Sequence, residues 1–274
     1  MMMWFSEVKL FLEENGIAVN EQISGENYVL ELVENKLLIY CMSIGQTLEV
    51  FKTSKVLETE NRKIFLWEDV WKTKQAICKS RILANCGISH RIPARLTKVR
   101  RIDKPTLDNF LNNNHLQVIT NAKLKYGLYL PKQYFRVLPE NINPEGDEIL
   151  LAVASFSNAK TIVREGKEYR SYELIRFANL LNFTVVGGLD KLLKAFIAEN
   201  NPDDIMTYAD RDWSDGRSYE TIGFERIGIT PPQEFYYDEK LMQRYYPNKL
   251  PEYSKNEMPR VFNTGNIKFL MKLK

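Results

Sequence analysis

The sequence predicts an α+β protein of two domains, residues 1–88 and 106–274, joined by a basic segment at 89–105. Three observations lead there. The first third opens on a helical pattern and continues in strand-length apolar runs. Residues 89–105, SHRIPARLTKVRRIDKP, carry two prolines and no clean period, as a linker or extended arm would. Beyond them come strands, a glycine pair opening an amphipathic helix, and more strands, the order of a mixed sheet with a crossover helix.

In the first domain Phe5, Val8, Leu10, Phe11 and Leu12 recur at helical spacing, and Asn15-Gly16 supplies the stop. Tyr28–Val33 and Leu37–Met42 read as strands joined by the turn-prone Glu34-Asn35-Lys36, with Thr47–Phe51 a weaker strand. KIFLWEDVW, from Lys63, reads as a buried strand running into a helix over Thr73–Cys86 with Gly87 as its cap. In the second domain Thr106 is the expected N-cap of a helix over Leu107–Asn112. Tyr126–Leu130 and Glu148–Ser157 are strands separated by a loop holding Pro139 and Pro144. Tyr172–Leu181, apolar on both faces, belongs centrally in a sheet. Val185-Val186-Gly187-Gly188 turns into a helix over Leu189–Ala198, with Leu189, Leu192, Leu193 and Phe196 as its buried stripe. Asp204–Ala209 is the next strand, and Ser218–Ile222 a helix stopped by Gly223. Phe224–Gly228 and Phe235–Tyr237 read as a hairpin around Pro231-Pro232, and the tail RVFNTGNIKFLMKL as another.

With 44% hydrophobic and 27% charged residues among 274, the chain has the material for a sizeable core. No run approaches the roughly 18 apolar residues of a membrane helix. The start, MMMWFSEVKLFLEEN, lacks a cationic n-region, so a cytoplasmic protein is expected. Cys41, Cys78 and Cys86 have no zinc or redox spacing and read as reduced core thiols; with His90 and His115 the only histidines, no metal site is expected. The net charge of +3 is unevenly placed: residues 1–88 hold ten Lys/Arg against twelve Asp/Glu, and residues 89–105 six against one. Arg91, Arg95, Lys98, Arg100 and Arg101 are therefore candidates for neutralising the phosphates of duplex DNA, each a salt-sensitive contact without sequence information. The plainer alternative is a solvated linker.

Helix, hairpin, strand and helix, with WEDVW before a SRIL-type helix, resemble a small restriction-endonuclease-like core of the very-short-patch-repair-like kind over residues 1–90. That resemblance implies an Asp on one strand and a Glu-X-Lys on the next, holding a divalent metal. Here the second strand reads Leu38-Ile39-Tyr40-Cys41-Met42, and the strand before it offers only Glu31. Oxygen ligands for a hard cation are not assembled. A degenerate module is expected, with no nuclease activity.

The richest stretch is Ser171 to Phe224. A strand, a glycine turn and a helix N-terminus direct free N–H groups and the positive helix end at one spot, suited to a phosphate; a tight turn is the alternative. Gly187-Gly188 opening DKLLKAF, followed by SYETIGFERIG, resembles the core of the GNAT (N-acetyltransferase) fold. The resemblance implies an acetyl-CoA or related acyl-CoA donor with its pyrophosphate at Val185, Val186, Gly187 and Gly188. It also puts Tyr219 near the thioester as a general acid. Within that fold, Glu173-Leu174-Ile175-Arg176 and Tyr208-Ala209-Asp210…Gly216…Tyr219…Gly223-Phe224 are similar to Mom-like phage DNA-modification proteins over residues 105–270. An adenine-modifying enzyme acting on DNA is what that likeness implies.

The candidate catalytic residues are thus Asp210, Tyr219, His115 and Arg176. Arg176 needs a partner if buried, and Asp210 could serve; otherwise it lines the cofactor or DNA cleft. Tyr219 is a catalyst or core packing, and His115 a base or a hydrogen-bonded cap. Trp213 stacks on an extruded base or fills a core. Against the transferase stands a non-catalytic or nucleolytic DNA-binding protein of a phage or mobile element. A third option is acylation of a protein or small molecule, which would leave the basic arm without a task.

Overall fold

A computed structural model describes residues 3–24, 27–44, 61–250 and 258–274. The strand expected at Thr47–Phe51 lies outside the described residues. Two compact units form, each from separated stretches: Met1–Gln75, Ala209–Arg217 and Gly228–Lys268 make the first, and Ala76–Tyr208, Ser218–Ile227 and Phe269–Lys274 the second. The expected division at 88–106 differs from this. Residues 76–88 go with the second unit, and much of the C-terminal third goes with the first. Strand pairing between distant segments, which no local pattern reports, sets the division.

In the first unit, helix α1 (Trp4–Glu14) buries Trp4, Val8, Phe11 and Leu12 and leaves Leu10 exposed. Strands β1 (Asn20–Ser24), β2 (Asn27–Leu32) and β3 (Leu37–Met42) form an antiparallel meander, and β4 (Arg62–Trp67) lies parallel to β3, in the order β1-β2-β3-β4. Every residue of β3 is buried, which accounts for its unbroken apolar run. Helix α2 (Glu68–Thr73) follows directly and stops at Lys74, so the run KIFLWEDVW expected as a strand is strand only to Trp67, and the helix expected over Thr73–Cys86 forms as α3 (Gln75–Asn85).

Late in the chain, β14 (Glu234–Asp238) pairs with both β15 (Gln243–Tyr245) and β16 (Arg260–Phe262). Tyr237 and Val261 from this small sheet join Val29, Leu38, Tyr40, Met42, Phe65 and Trp67 in one core. Across this unit, Arg244 makes a bidentate pair with the buried Asp69, at 2.5 and 2.7 Å.

The second unit is built on an eight-stranded sheet. Segment 89–105, expected as a linker, contributes β5 (His90–Pro93), a 3₁₀ turn at Ala94–Leu96 and β6 (Lys98–Arg101). Ile92 and Thr97 are buried, and each strand has a pairing partner, so the segment is ordered structure. Helix α4 (Lys104–Asn114) is capped by Asp103, whose Oδ1 accepts from the Thr106 N–H at 2.9 Å; Thr106, the expected cap, sits inside the helix. Its Leu107, Phe110 and Leu111 pack on Val153 and Ala178.

Strands β7 (Leu124–Pro131), β8 (Glu148–Phe156), β9 (Lys160–Arg164) and β10 (Lys167–Asn179) are antiparallel neighbours, β9 pairing only β10. The chain then makes the short β11 (Phe183–Val186), parallel to β5, and helix α5 (Gly188–Asn200). It returns as β12 (Asp204–Asp210), parallel to β10. Phe196 of α5 stacks on Phe156 at 3.9 Å, with Tyr126 and Tyr172 edge-on to its ring. After α6 (Arg217–Thr221) come β13 (Glu225–Ile229) and β17 (Asn266–Lys272), completing the order β13-β17-β12-β10-β8-β7-β6. The two hairpins expected late in the chain therefore do not form. Pro231-Pro232 has no N–H to continue a ladder, so β13 and β14 enter different sheets, and so do β16 and β17.

Candidate functional site

The crossover from β10 through α5 to β12 positions the candidate site. The two parallel strands stay in register only from Ser171↔Asp204 to Leu174↔Thr207. There the β10 register against β8 shifts between Leu174 and Arg176, a bulge that bends the strand. Beyond it β10 continues along β8 as far as Asn179, and its register with β12 has ended. The carboxyl ends of parallel strands joined by a crossover helix are the usual place for a ligand in such sheets.

Tyr219 stands at this parting point. The Thr207 hydroxyl donates to the Leu174 carbonyl at 2.9 Å, and the Tyr219 hydroxyl is hydrogen-bonded to the Thr207 side chain. Burial pushes the Tyr219 phenol above its ordinary value, while the Thr207 hydrogen bond and the charges of Arg81 and Arg176 pull it back. A protonated phenol under a positive field is a proton donor in waiting.

Local sequence places it. Gly223 takes φ +97° after α6, and the Phe224 N–H then reaches back to the Tyr219 carbonyl at 3.1 Å. Phe224 lies edge-on to the Tyr219 ring, with centroids 5.6 Å apart.

Arg176 donates to the carbonyls of Ile175 (2.8 Å) and Val118 (3.3 Å), which ties the bulge to the loop after α4. His115 ends α4 and begins that loop; its Nδ1 accepts from the Gln117 N–H at 3.1 Å. The glycine turn is built as the sequence suggests. Gly187 has φ +76°, open chiefly to glycine, and a Cβ on Gly188 would stand 3.0 Å from Val185 Cβ and 3.2 Å from Leu128 Cδ1. No side chain caps α5. Val186 pairs with Pro93, and Lys191 Nζ donates to the Ala94 and Thr97 carbonyls at 2.9 and 2.5 Å, so the turn carrying Arg95 is pinned beside Gly187.

Asp210, at the end of β12, belongs to the first unit, and its Oδ1 accepts from the Asp212 N–H at 3.0 Å. Asp212 is buried and receives the Thr264 N–H and hydroxyl at 2.8 and 2.6 Å. Trp213 is only 6% exposed; it fills the interior and is not presented for stacking on a base. Burial, with Asp210 beside it, raises the Asp212 carboxyl to about 7. The folded chain thus binds a proton there that the unfolded chain has released above about pH 4. Stability from this group is expected to fall as pH rises from about 4 to 7 and to level off above. Asp212→Asn keeps an acceptor for Thr264 and should flatten that slope in urea titrations at pH 5 and pH 8. An unchanged slope would show Asp212 ionised throughout.

The five basic residues do not behave alike. Arg91, Arg95 and Lys98 are exposed and make no ion pair among the described residues. Arg100 pairs with Glu148 at 2.7 Å, and Arg101 holds Glu199 through Nε and Nη2 at 3.0 and 2.7 Å. Arg101 and a 2.7 Å hydrogen bond from Tyr126 keep the Glu199 carboxyl below its ordinary value. Sequence reasoning missed Thr207 and Arg81. The first is one polar residue within a strand, and the second lies on α3, in a segment expected to belong to the other domain. Among the described residues no group of three or more His, Cys, Asp or Glu could hold a metal ion, and no helix is long and apolar enough to cross a membrane.

No protein-family model matches the chain, and no curated protein sequence does. Solved structures similar to it include the ribosomal-protein-S18-alanine N-acetyltransferase from Escherichia coli, at 11% identity and TM-score 0.38, covering 65% of this chain and 94% of that one. NAA60 of Arabidopsis thaliana, solved with a bisubstrate analogue, matches at 10% identity and TM-score 0.40, covering 65% and 99%. A Bacillus subtilis acetyltransferase in complex with CoA matches at 11% identity and TM-score 0.32, also covering 65% and 99%. Likenesses this distant carry no weight on activity.

Proposed function

We propose that the second unit is a GNAT-like acyltransferase that uses an acyl-CoA-type donor to modify a base in duplex DNA, in keeping with the Mom-like resemblance of its sequence. The observation that carries this reading is the parting of β10 and β12 at a bulge, with the Tyr219 hydroxyl hydrogen-bonded at that point. The glycine turn fits a pyrophosphate: it is free of side chains at Gly187 and Gly188 and opens an uncapped helix of thirteen residues. Val185, Val186, Gly187 and Gly188 would hold the donor, which supplies an activated acyl carbonyl and a sulfur leaving group.

With such a donor bound, Tyr219 would give its hydroxyl proton to the sulfur as the acceptor amine bonds to the acyl carbon and the carbon–sulfur bond breaks. Arg81 and Arg176 hold positive charge beside the phenol, which favours the tyrosinate left behind. His115, on the loop that Arg176 grips, takes the proton released by the acceptor amine. Asp210 we assign to holding the Asp212 turn.

Arg91, Arg95 and Lys98, exposed and without ion pairs among the described residues, contact DNA phosphates, while Arg100 and Arg101 brace β6 through their carboxylate partners. The first unit, whose helix, meander and parallel strand follow the order of the nuclease resemblance, helps hold the duplex without cutting it.

The test incubates the protein with acetyl-CoA and duplex DNA and reads digested nucleosides by mass spectrometry. A mass-shifted adenine nucleoside is expected. No adduct and no thermal shift with acetyl-CoA, but salt-dependent binding, would replace the enzyme with a DNA-binding scaffold. Changing Arg91, Arg95 and Lys98 together to alanine is expected to reduce the slope of log affinity against log salt by about 2 to 3. An unchanged slope would move the DNA contact elsewhere.

A further inference from the structure

Two lysines in the first two turns of α5 are held differently. Lys194 Nζ pairs with Asp190, the acid of the first turn, at 2.7 Å. Lys191 pairs with no carboxylate among the described residues; its Nζ donates to two main-chain carbonyls, Ala94 at 2.9 Å and Thr97 at 2.5 Å. The Ala94 carbonyl already accepts from the Thr97 N–H at 3.0 Å and hydroxyl at 2.7 Å, so that turn closes without the lysine. Burial alone pulls the Lys191 ammonium below the ordinary lysine value, as happens where no opposite charge stands by to hold it up.

Helix geometry puts this charge beside the glycine turn. Side chains lean toward a helix's N-terminus, and the Lys191 N–H bonds the Gly187 carbonyl at 3.0 Å, so the side chain covers the turn that opens α5. Ala94, to which it is tied, lies against that turn: a Cβ on Gly187 would stand 3.8 Å from Ala94 Cβ. A half-buried positive charge without a counter-ion thus sits next to a helix start that is uncapped and free of side chains. Two carbonyls offset part of the cost of desolvating the ammonium, and an anion at the glycine turn would offset more.

We infer that Lys191 is a positioning residue for the pyrophosphate of the donor. It fixes the turn at residues 94–97 as a wall of the glycine turn and adds its charge to the field at the helix start. The role rests on the assignment of residues 185–188 to the donor. It concerns binding and not the bond changes at Tyr219, so it belongs to donor affinity and leaves turnover alone. The wall comes from a segment that precedes α4 in the chain and reaches α5 only through the β5–β11 pairing, where Pro93 stands opposite Val186.

The experiment titrates CoA calorimetrically into the full chain and into Lys191→Met and Lys191→Arg, with KM for acetyl-CoA and kcat measured on duplex DNA alongside. Lys191→Met is expected to weaken CoA binding and raise KM by about 10-fold, with kcat unchanged. Lys191→Arg keeps the charge and can donate to both carbonyls, so it should stay within about threefold of the parent. Unchanged CoA affinity in Lys191→Met, equal losses in both variants, or a fall confined to kcat overturns the proposal. A parent chain that binds no CoA overturns the donor assignment itself, and this role with it. Should Lys191→Met fail to fold by circular dichroism, Lys191→Gln, which loses the charge and keeps an amide donor, takes its place in the same titration.

Discussion

Tyr219→Phe is expected to lower the rate of acyl transfer by about 100-fold or more while changing donor affinity little. The bond of the phenol is to Thr207, at the place where the pairing of β10 and β12 ends. Losing that one hydrogen bond should cost about 1 kcal/mol of stability, small enough for the variant to remain folded. Burial holds the phenol above the ordinary tyrosine value of 10.0, so ionisation of Tyr219 should not cut the wild-type rate below about pH 10. Rates of label transfer from acyl-CoA to duplex DNA between pH 6 and 10 check both points. A Phe variant within twofold of wild type would remove Tyr219 from the reaction.

Arg244→Met is expected to destabilise the protein by about 3 kcal/mol, because it leaves the Asp69 carboxylate buried with its guanidinium gone. Asp69 is almost wholly enclosed, and both of its oxygens are bound by Arg244 from 175 residues away. The guanidinium also lies 5.2 Å from the Trp67 ring, so urea unfolding followed by tryptophan fluorescence reads the loss directly. Adding Asp69→Asn to Arg244→Met should recover part of the stability, since it removes the stranded charge. If the double variant is worse than the single, the pair contributes by packing and not by charge. Arg244 also draws the Asp212 carboxyl downward, so Arg244→Met should steepen the fall in stability between about pH 4 and 7.

Much of the local order was legible from side-chain spacing. Leu37–Met42, Asp204–Asp210 and the helix after Gly187-Gly188 form close to where their patterns place them, because period, glycine and cap act within a few residues. The basic segment misled for a physical reason. Short edge strands need no long apolar run; β5 and β6 take most of their order from main-chain pairing with β11 and β7. Arg100 and Arg101 look like polyanion ligands by composition, yet each meets a carboxylate supplied by a distant element. Trp213 looked presentable on an acidic loop, and the interior claims it.

The sequence by itself determined the long apolar strands, the glycine turn that opens α5, and the Gly223-Phe224 corner that seats Tyr219, since each depends on backbone freedom and contacts between near neighbours. Only the tertiary structure decided that the strands beside Tyr219 are parallel and part at a bulge. It alone brought Arg81 from α3 to bear on that hydroxyl and divided the chain into interleaved units. Those outcomes depend on which strands find each other across the chain, and a period of two or of three to four residues says which side faces inward but not against what.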